Sequence, residues 1–241
     1  MNSIYKKIQA SALKGEKLLA VLIDPDKVVI EKVPRFISKI NQSVATHIFV
    51  GGSTVDENDT EYLVEEIKKH TNVPVILFPG DVNQITGKAD GLLFLSLISG
   101  RDPNFLIGKH VESVSKLLQT ALEIIPTGYI LIESGNKSAV ERVTNTQPMS
   151  RIDVSQITKT AKAGELLGMK LIYLEAGSGA KSPISEDIIK SVKNKLSIPL
   201  IVGGGIKSKE QLERTYASGA NLVVIGTALE EDETFFEKIK K

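Results

Sequence analysis

Glu175 stands directly before a glycine-bearing loop, within Tyr173-Leu-Glu-Ala-Gly-Ser-Gly179. Two further loops of this kind follow it, Gly203-Gly204-Gly205 and Gly226-Thr227. Each comes after a short apolar run: Leu171-Ile-Tyr-Leu174, Leu200-Ile-Val202 and Leu222-Val-Val-Ile225. Glycine lets backbone amides approach an anion closely because no Cβ intervenes. A helix starting just beyond adds unpaired N–H groups and a positive dipole end. Three such loops after successive strands point to one phosphate held from several sides. A carboxylate on that phosphate would be repelled by it. Glu175 is therefore expected beside the phosphate, where it can take a proton from a ligand hydroxyl. A salt bridge to a nearby lysine is the alternative. Tyr173 can present its hydroxyl inward as a donor or simply pack in the strand.

Two other segments can contribute chemistry. Asp24-Pro25-Asp26-Lys27 offers a carboxylate that can hold a divalent cation or act as a base, or else a turn with a helix cap. Gly51-Gly52-Ser53-Thr54 has small residues that would let a ligand come close, or is an ordinary connecting loop. His47, His70 and His110 share no ligand spacing and build neither a zinc site nor a Ser-His-Asp triad; they read as surface or packing residues. Gly203-Gly204-Gly205 lacks the spacing of a dinucleotide fingerprint.

The elements that position these residues alternate. Eight short apolar runs, 18–23, 46–50, 75–78, 91–95, 128–132, 170–174, 200–202 and 221–225, read as parallel strands covered on both faces. Helical spacing fills 33–41, 56–70, 103–124, 154–167, 185–195 and 208–218, with Asp56 and Ser185 in N-cap positions. Eight strands with intervening helices predict an α/β fold, a single-domain (β/α)8 TIM barrel, with an open doubly wound sheet as runner-up. Residues 79–88 are too short and glycine-bounded for a full third helix, so a loop is expected there. The polar stretch 136–151 lengthens the connection after the fifth strand, as a substrate wall or as loop variation.

With 241 residues, 41% hydrophobic, the chain can fill one large core. Thirty basic and 29 acidic residues leave a net charge of +1, so no global field favours nucleic acid. The absence of cysteine removes disulfides, thiolate nucleophiles and cysteine-held metals. No run approaches a membrane span or a signal peptide, which together suggest a cytoplasmic protein.

Taken in order, Ile23-Asp-Pro-Asp-Lys27, Gly51-Gly-Ser53, Tyr173-Leu-Glu-Ala-Gly-Ser-Gly179, Val202-Gly-Gly-Gly-Ile-Lys207 and Ile225-Gly-Thr-Ala-Leu229 resemble the geranylgeranylglyceryl phosphate synthase family across essentially the whole chain. The resemblance implies a prenyltransferase that joins sn-glycerol 1-phosphate to a polyprenyl diphosphate, geranylgeranyl diphosphate, in making archaeal-type phospholipids. It implies Mg²⁺ at Asp24 and Ser53. It implies a glycerol phosphate pocket made by Tyr173, Leu174, Glu175, Ala176, Gly177, Ser178, Gly179, Gly204, Gly205, Gly226 and Thr227. Glu175 is then the expected catalytic proton acceptor. Leu22 and Thr227 stand where some bacterial relatives have Lys and Asn; this is similar to the larger archaeal and bacterial subgroup and favours a C20 donor. The resemblance also implies a homo-oligomer, a dimer or hexamer. Phe78, Phe94, Leu95 and Leu97 can line the apolar groove such a donor needs. The competing readings are a sugar-phosphate isomerase or epimerase, using Asp24 and Glu133 as an acid and base pair, and a non-catalytic phosphometabolite-binding module.

Overall fold

The computed structural model describes residues 3–52, 59–226, 236, 239 and 240. Eight parallel strands close into a barrel in chain order: β1 (Leu18–Ile23), β2 (His47–Val50), β3 (Val75–Leu77), β4 (Gly91–Leu97), β5 (Glu123–Leu131), β6 (Leu171–Glu175), β7 (Leu200–Gly203) and β8 (Leu222–Ile225). Closure is made by β1 on β8, with Leu18 opposite Leu222 and Val21 opposite Ile225. The pleat sends alternate residues to opposite faces. Ala20, Phe49, Ile76, Leu93, Ile125, Leu171, Ile201 and Val224 accordingly fill the barrel interior. Their neighbours Val21, Ile48, Val75, Leu92, Ile172 and Val223 pack outward under the helices.

The helices are α1 (Ile4–Leu13), α2 (Val33–Gln42), α3 (Asp59–Lys69), α4 (Lys109–Leu117), α5 (Ala139–Thr144), α6 (Val154–Leu166), α7 (Glu186–Lys193) and α8 (Lys209–Ala217). As expected, only a single 3-10 turn, Val82–Gln84, stands between β3 and β4. The helix predicted over 103–124 is corrected: a π-helical turn, Asn104–Gly108, leads into α4, and β5 already begins at Glu123. Pairing of Glu123, Ile124 and Ile125 with Gly91, Leu92 and Leu93 of β4 overrides the helical propensity of the preceding leucines. Ser185 occupies the α7 N-cap with extended backbone, but its side chain makes no cap hydrogen bond. Asp56 lies outside the described residues.

α1 plugs the floor of the barrel. Ser3 caps it, accepting from the Lys6 amide, and buried Ile4 and Ile8 join the interior cluster. Glu123, at the start of β5, accepts from the Ser3 hydroxyl at 2.5 Å and from the amides of Ile4 at 2.5 Å and Tyr5 at 2.9 Å. A carboxylate at a helix N-terminus satisfies donors that have no partner within the helix. His47, the first residue of β2, is buried at the same end. Burial and the Lys7 charge pull its pKa down to about 4, so it is neutral.

Candidate active site

A cavity of about 520 Å³ opens at the C-terminal ends of the strands, where barrel enzymes place their chemistry. Its wall contains Asp24, Gly51, Tyr173, Glu175, Gly177, Ser178, Gly179, Gly204, Gly205 and Gly226. Loops far apart in sequence are thus brought to one space. Leu174 and Ala176 belong to the outer core instead, buried beneath the helices. The strand pleat accounts for Leu174, since Tyr173 and Glu175 on either side of it face inward. Ser53 and Thr227 lie outside the described residues.

Glu175 is 6% exposed and sits at the inner rim. Its Oε1 accepts from the Gly177 amide at 2.6 Å, so that amide is committed to the carboxylate rather than to a bound anion. Burial raises its pKa, and the Gly177 N–H and the nearby Tyr173 hydroxyl only partly oppose this. The Tyr173 hydroxyl is itself buried and falls short of hydrogen-bond geometry with any partner. Burial first, and then the Glu175 charge, push it well above its ordinary value. Gly204 has a positive φ of +84°, and a Cβ there would strike the Glu175 carboxylate as well as the Gly177 and Ala176 amides. The site has room for Glu175 only because residue 204 is glycine.

The long connection after β5 braces this wall. Ser138 caps α5 by accepting from the Glu141 amide at 3.0 Å, and its Cβ packs against Gly177. Asn136 donates to the Gly179 carbonyl at 3.1 Å. Lys137, Val140 and Arg142 line the cavity.

Asp24 directly follows β1, the strand next to β8, with its carboxylate 3.0 Å from Lys27 Nζ and accepting from the Asp26 amide. From there the cavity extends along an apolar arm walled by Phe78, Phe94, Leu95 and Leu97, the four residues singled out from the sequence, with Phe105, His110 and Ser113. The arm passes the 3-10 turn that replaces a third helix, where Val82 and Ile85 also line it. Three contributors carried little signal in the sequence. His110 is buried, not superficial; it meets the Phe94 ring edge-on at 4.2 Å, and burial lowers its pKa. Lys109 reaches Asp81 at 2.9 Å on the cavity wall. Gln84 is buried, accepts from the Gly80 amide at 3.0 Å and donates to the Gly52 carbonyl at 2.9 Å, tying the β2 and β3 loops together. Glu133 is exposed, accepts from the Ser150 hydroxyl at 3.3 Å and is not part of the cavity wall, so it forms no pair with Asp24.

Residues 12–241 match the PcrB family. The geranylgeranylglyceryl phosphate synthase of Zunongwangia profunda is 57% identical over 226 residues, covering 94% of this chain and 96% of that protein. That of Flavobacterium johnsoniae is 51% identical over 237 residues, covering 98% of each. The crystal structure of (S)-3-O-geranylgeranylglyceryl phosphate synthase from Thermoplasma acidophilum, in complex with its substrate sn-glycerol-1-phosphate, matches with a TM-score of 0.92 at 29% identity, covering 99% of this chain and 96% of that one. Tryptophan synthase α-subunit from Pyrococcus furiosus, at 15% identity and a TM-score of 0.57, shares the fold alone. The chain belongs to the PcrB family, that of these geranylgeranylglyceryl phosphate synthases.

Proposed function

We infer that this chain is a prenyltransferase that forms an ether bond between sn-glycerol 1-phosphate and geranylgeranyl diphosphate, releasing diphosphate, in archaeal-type phospholipid synthesis. The observation that carries the reading is a single cavity with a buried glutamate and glycine loops at one side and an apolar arm at the other. Such a cavity suits two substrates, one small and anionic, one long and apolar.

The glycine loops after β6, β7 and β8 hold the acceptor phosphate, which sets the terminal C3 hydroxyl of the glycerol near Glu175. The allylic C–O bond of the donor breaks, and the departing diphosphate keeps the electron pair. The acceptor oxygen bonds to the allylic carbon, and its proton passes to Glu175 Oε. A carboxylate with its pKa raised by burial is a stronger base than an exposed one, and a dry site protects the allylic cation from water. The apolar arm aligns the prenyl chain so that the reacting carbon reaches the acceptor.

Asp24 fits a magnesium site of the kind completed by substrate phosphates: it is a hard oxygen ligand on the cavity wall, after the strand next to β8. Asp24, with Ser53, would hold Mg²⁺, which when bound neutralises the diphosphate. We place the enzyme in the cytoplasm and expect a homo-oligomer; among the described residues no helix is long and apolar enough to cross a membrane.

Purified protein given Mg²⁺, sn-glycerol 1-phosphate and labelled geranylgeranyl diphosphate is expected to yield one ether-linked product and diphosphate. No such product, together with turnover of a sugar phosphate, would overturn the reading. A donor series from C15 to C35 identifies the preferred chain length, with C20 expected.

A further inference from the structure

β2 and β3 pair as far as Val50 opposite Leu77, and Phe78 then donates to the Val50 carbonyl at 2.8 Å. Beyond that point the side chain of Gln84 continues the link. Its Oε1 accepts from the Gly80 amide at 3.0 Å and, over a longer 3.4 Å, from the Gly52 amide. Its Nε2 donates to the Gly52 carbonyl at 2.9 Å. One side chain thus meets both polar groups of Gly52, as a neighbouring strand would. Gln84 is 2% exposed and closes the 3-10 turn Val82–Gln84 that stands in place of a third helix.

The groups it holds belong to the cavity. Gly52 after β2 and Gly80 after β3 both line the wall, with Gly51 and Asp81 beside them, and Gln84 supports them from behind. Gly51 in turn donates at 3.1 Å to the carbonyl of Ile23, the residue before Asp24. Its backbone lies so close to β3 that a Cβ at position 51 would strike the Phe78 carbonyl. Contacts therefore run without a break from the end of β1, through Gly51 and Gly52, to Gln84. A buried amide is costly unless its groups are paired, and filling space here would need none.

We propose that Gln84 is a positioning residue for the donor's diphosphate and its Mg²⁺: it fixes where Gly52, the residue before Ser53 in the sequence, stands relative to Asp24. This rests on the reading of Asp24 and Ser53 as the Mg²⁺ ligands. Mg²⁺ demands near-octahedral geometry at short distances, so a shift in the backbone beside a ligand is felt as lost affinity. Groups that hold metal ligands in place commonly contribute about 10–100-fold to metal affinity or activity. The hydrogen bonds of the Gln84 side chain go to the β2 and β3 loops and not to the glycine loops read as holding the acceptor, so acceptor binding is independent of it.

Calorimetry on the full-length protein tests this, with inorganic diphosphate, with and without Mg²⁺, and sn-glycerol 1-phosphate as separate ligands. Wild type, Asp24→Asn, Gln84→Met and Gln84→Glu are compared, with circular dichroism reporting the fold. Met has nearly the length of Gln without its polar groups; ionised Glu has no hydrogen to give the Gly52 carbonyl. Wild type should bind diphosphate in a Mg²⁺-dependent way that Asp24→Asn abolishes. Gln84→Met should bind it about 10–100-fold more weakly, with acceptor affinity unchanged. Gln84→Glu should be similarly weak at alkaline pH and regain affinity, relative to wild type at the same pH, as acid restores a donor to the side chain. Diphosphate binding that is absent in wild type, or untouched by Asp24→Asn, overturns the metal reading and the proposal with it. If the metal reading holds, wild-type diphosphate affinity in Gln84→Met overturns the proposal alone, as does an equal loss of diphosphate and acceptor affinity. Should Gln84→Met fail to fold, a Gln84→Glu deficit that is absent, or that persists unchanged into acid, overturns it.

Discussion

Two glutamates mark the two ends of the same barrel wall. Glu123 opens β5 at the floor and Glu175 closes β6 at the mouth. Burial pushes both carboxyls up. At Glu123 the Ser3 hydroxyl and the Tyr5 and Ile4 amides, with the Lys6 charge, outweigh that push and hold it below the ordinary carboxylate range. At Glu175 one committed amide and a nearby hydroxyl do not, and its pKa stays raised. Residue type is the same; the number of donors decides. A carboxylate surrounded by donors fixes a helix, whereas one short of donors retains affinity for a proton.

The largest expected effect in breaking this contrast is at Glu175. Glu175→Gln removes the base and should lower turnover about 10²–10⁴-fold with little change in acceptor affinity, read as a kcat loss at nearly constant KM. The same variant should be more stable. A carboxyl raised in the folded state favours folding below its unfolded pKa, and that contribution is lost as pH rises. At neutral pH the buried charge therefore opposes the fold, and calorimetry should show Glu175→Gln melting above wild type. Gly204→Ala should come next. It displaces the carboxylate by steric contact and should cut turnover on the order of 10²-fold.

At the floor the sign reverses. Glu123→Ala leaves the start of α1 without its acceptor and should cost about 2–3 kcal/mol in urea unfolding, while turnover at low denaturant stays near wild type. The smallest effect is the acid response of His47. Its pKa is about 4 in the fold against 6.5 unfolded. The stability it contributes is complete above 6.5 and is lost as pH falls towards 4. Between pH 7 and pH 5 that amounts to about 2 kcal/mol, and His47→Leu should flatten the loss.

Much of the site was legible because its signals are local. Glycines directly after apolar runs, and Glu175 directly before one of them, need no tertiary information. The barrel followed from eight such runs. The assignment of Leu174 to the pocket ignored a period of two that the strand itself imposes, and this was readable. α1 was also readable, from Ser3 with Ile4 and Ile8 one turn apart. The beginning of β5 was not, because pairing with β4 decides it, and neither was His110, whose place on the cavity wall depends on the packing of α4 against β4.

The central claim is that Glu175 takes the acceptor's proton from a raised pKa. Single-turnover formation of the labelled ether from geranylgeranyl diphosphate and sn-glycerol 1-phosphate, followed from about pH 4 to 9, tests it most directly. The wild-type rate should fall on the acid side with a midpoint above the ordinary carboxylate range, and Glu175→Gln should be slow with no such limb. A Glu175→Gln enzyme that keeps the wild-type rate, or the same acid limb, would contradict it.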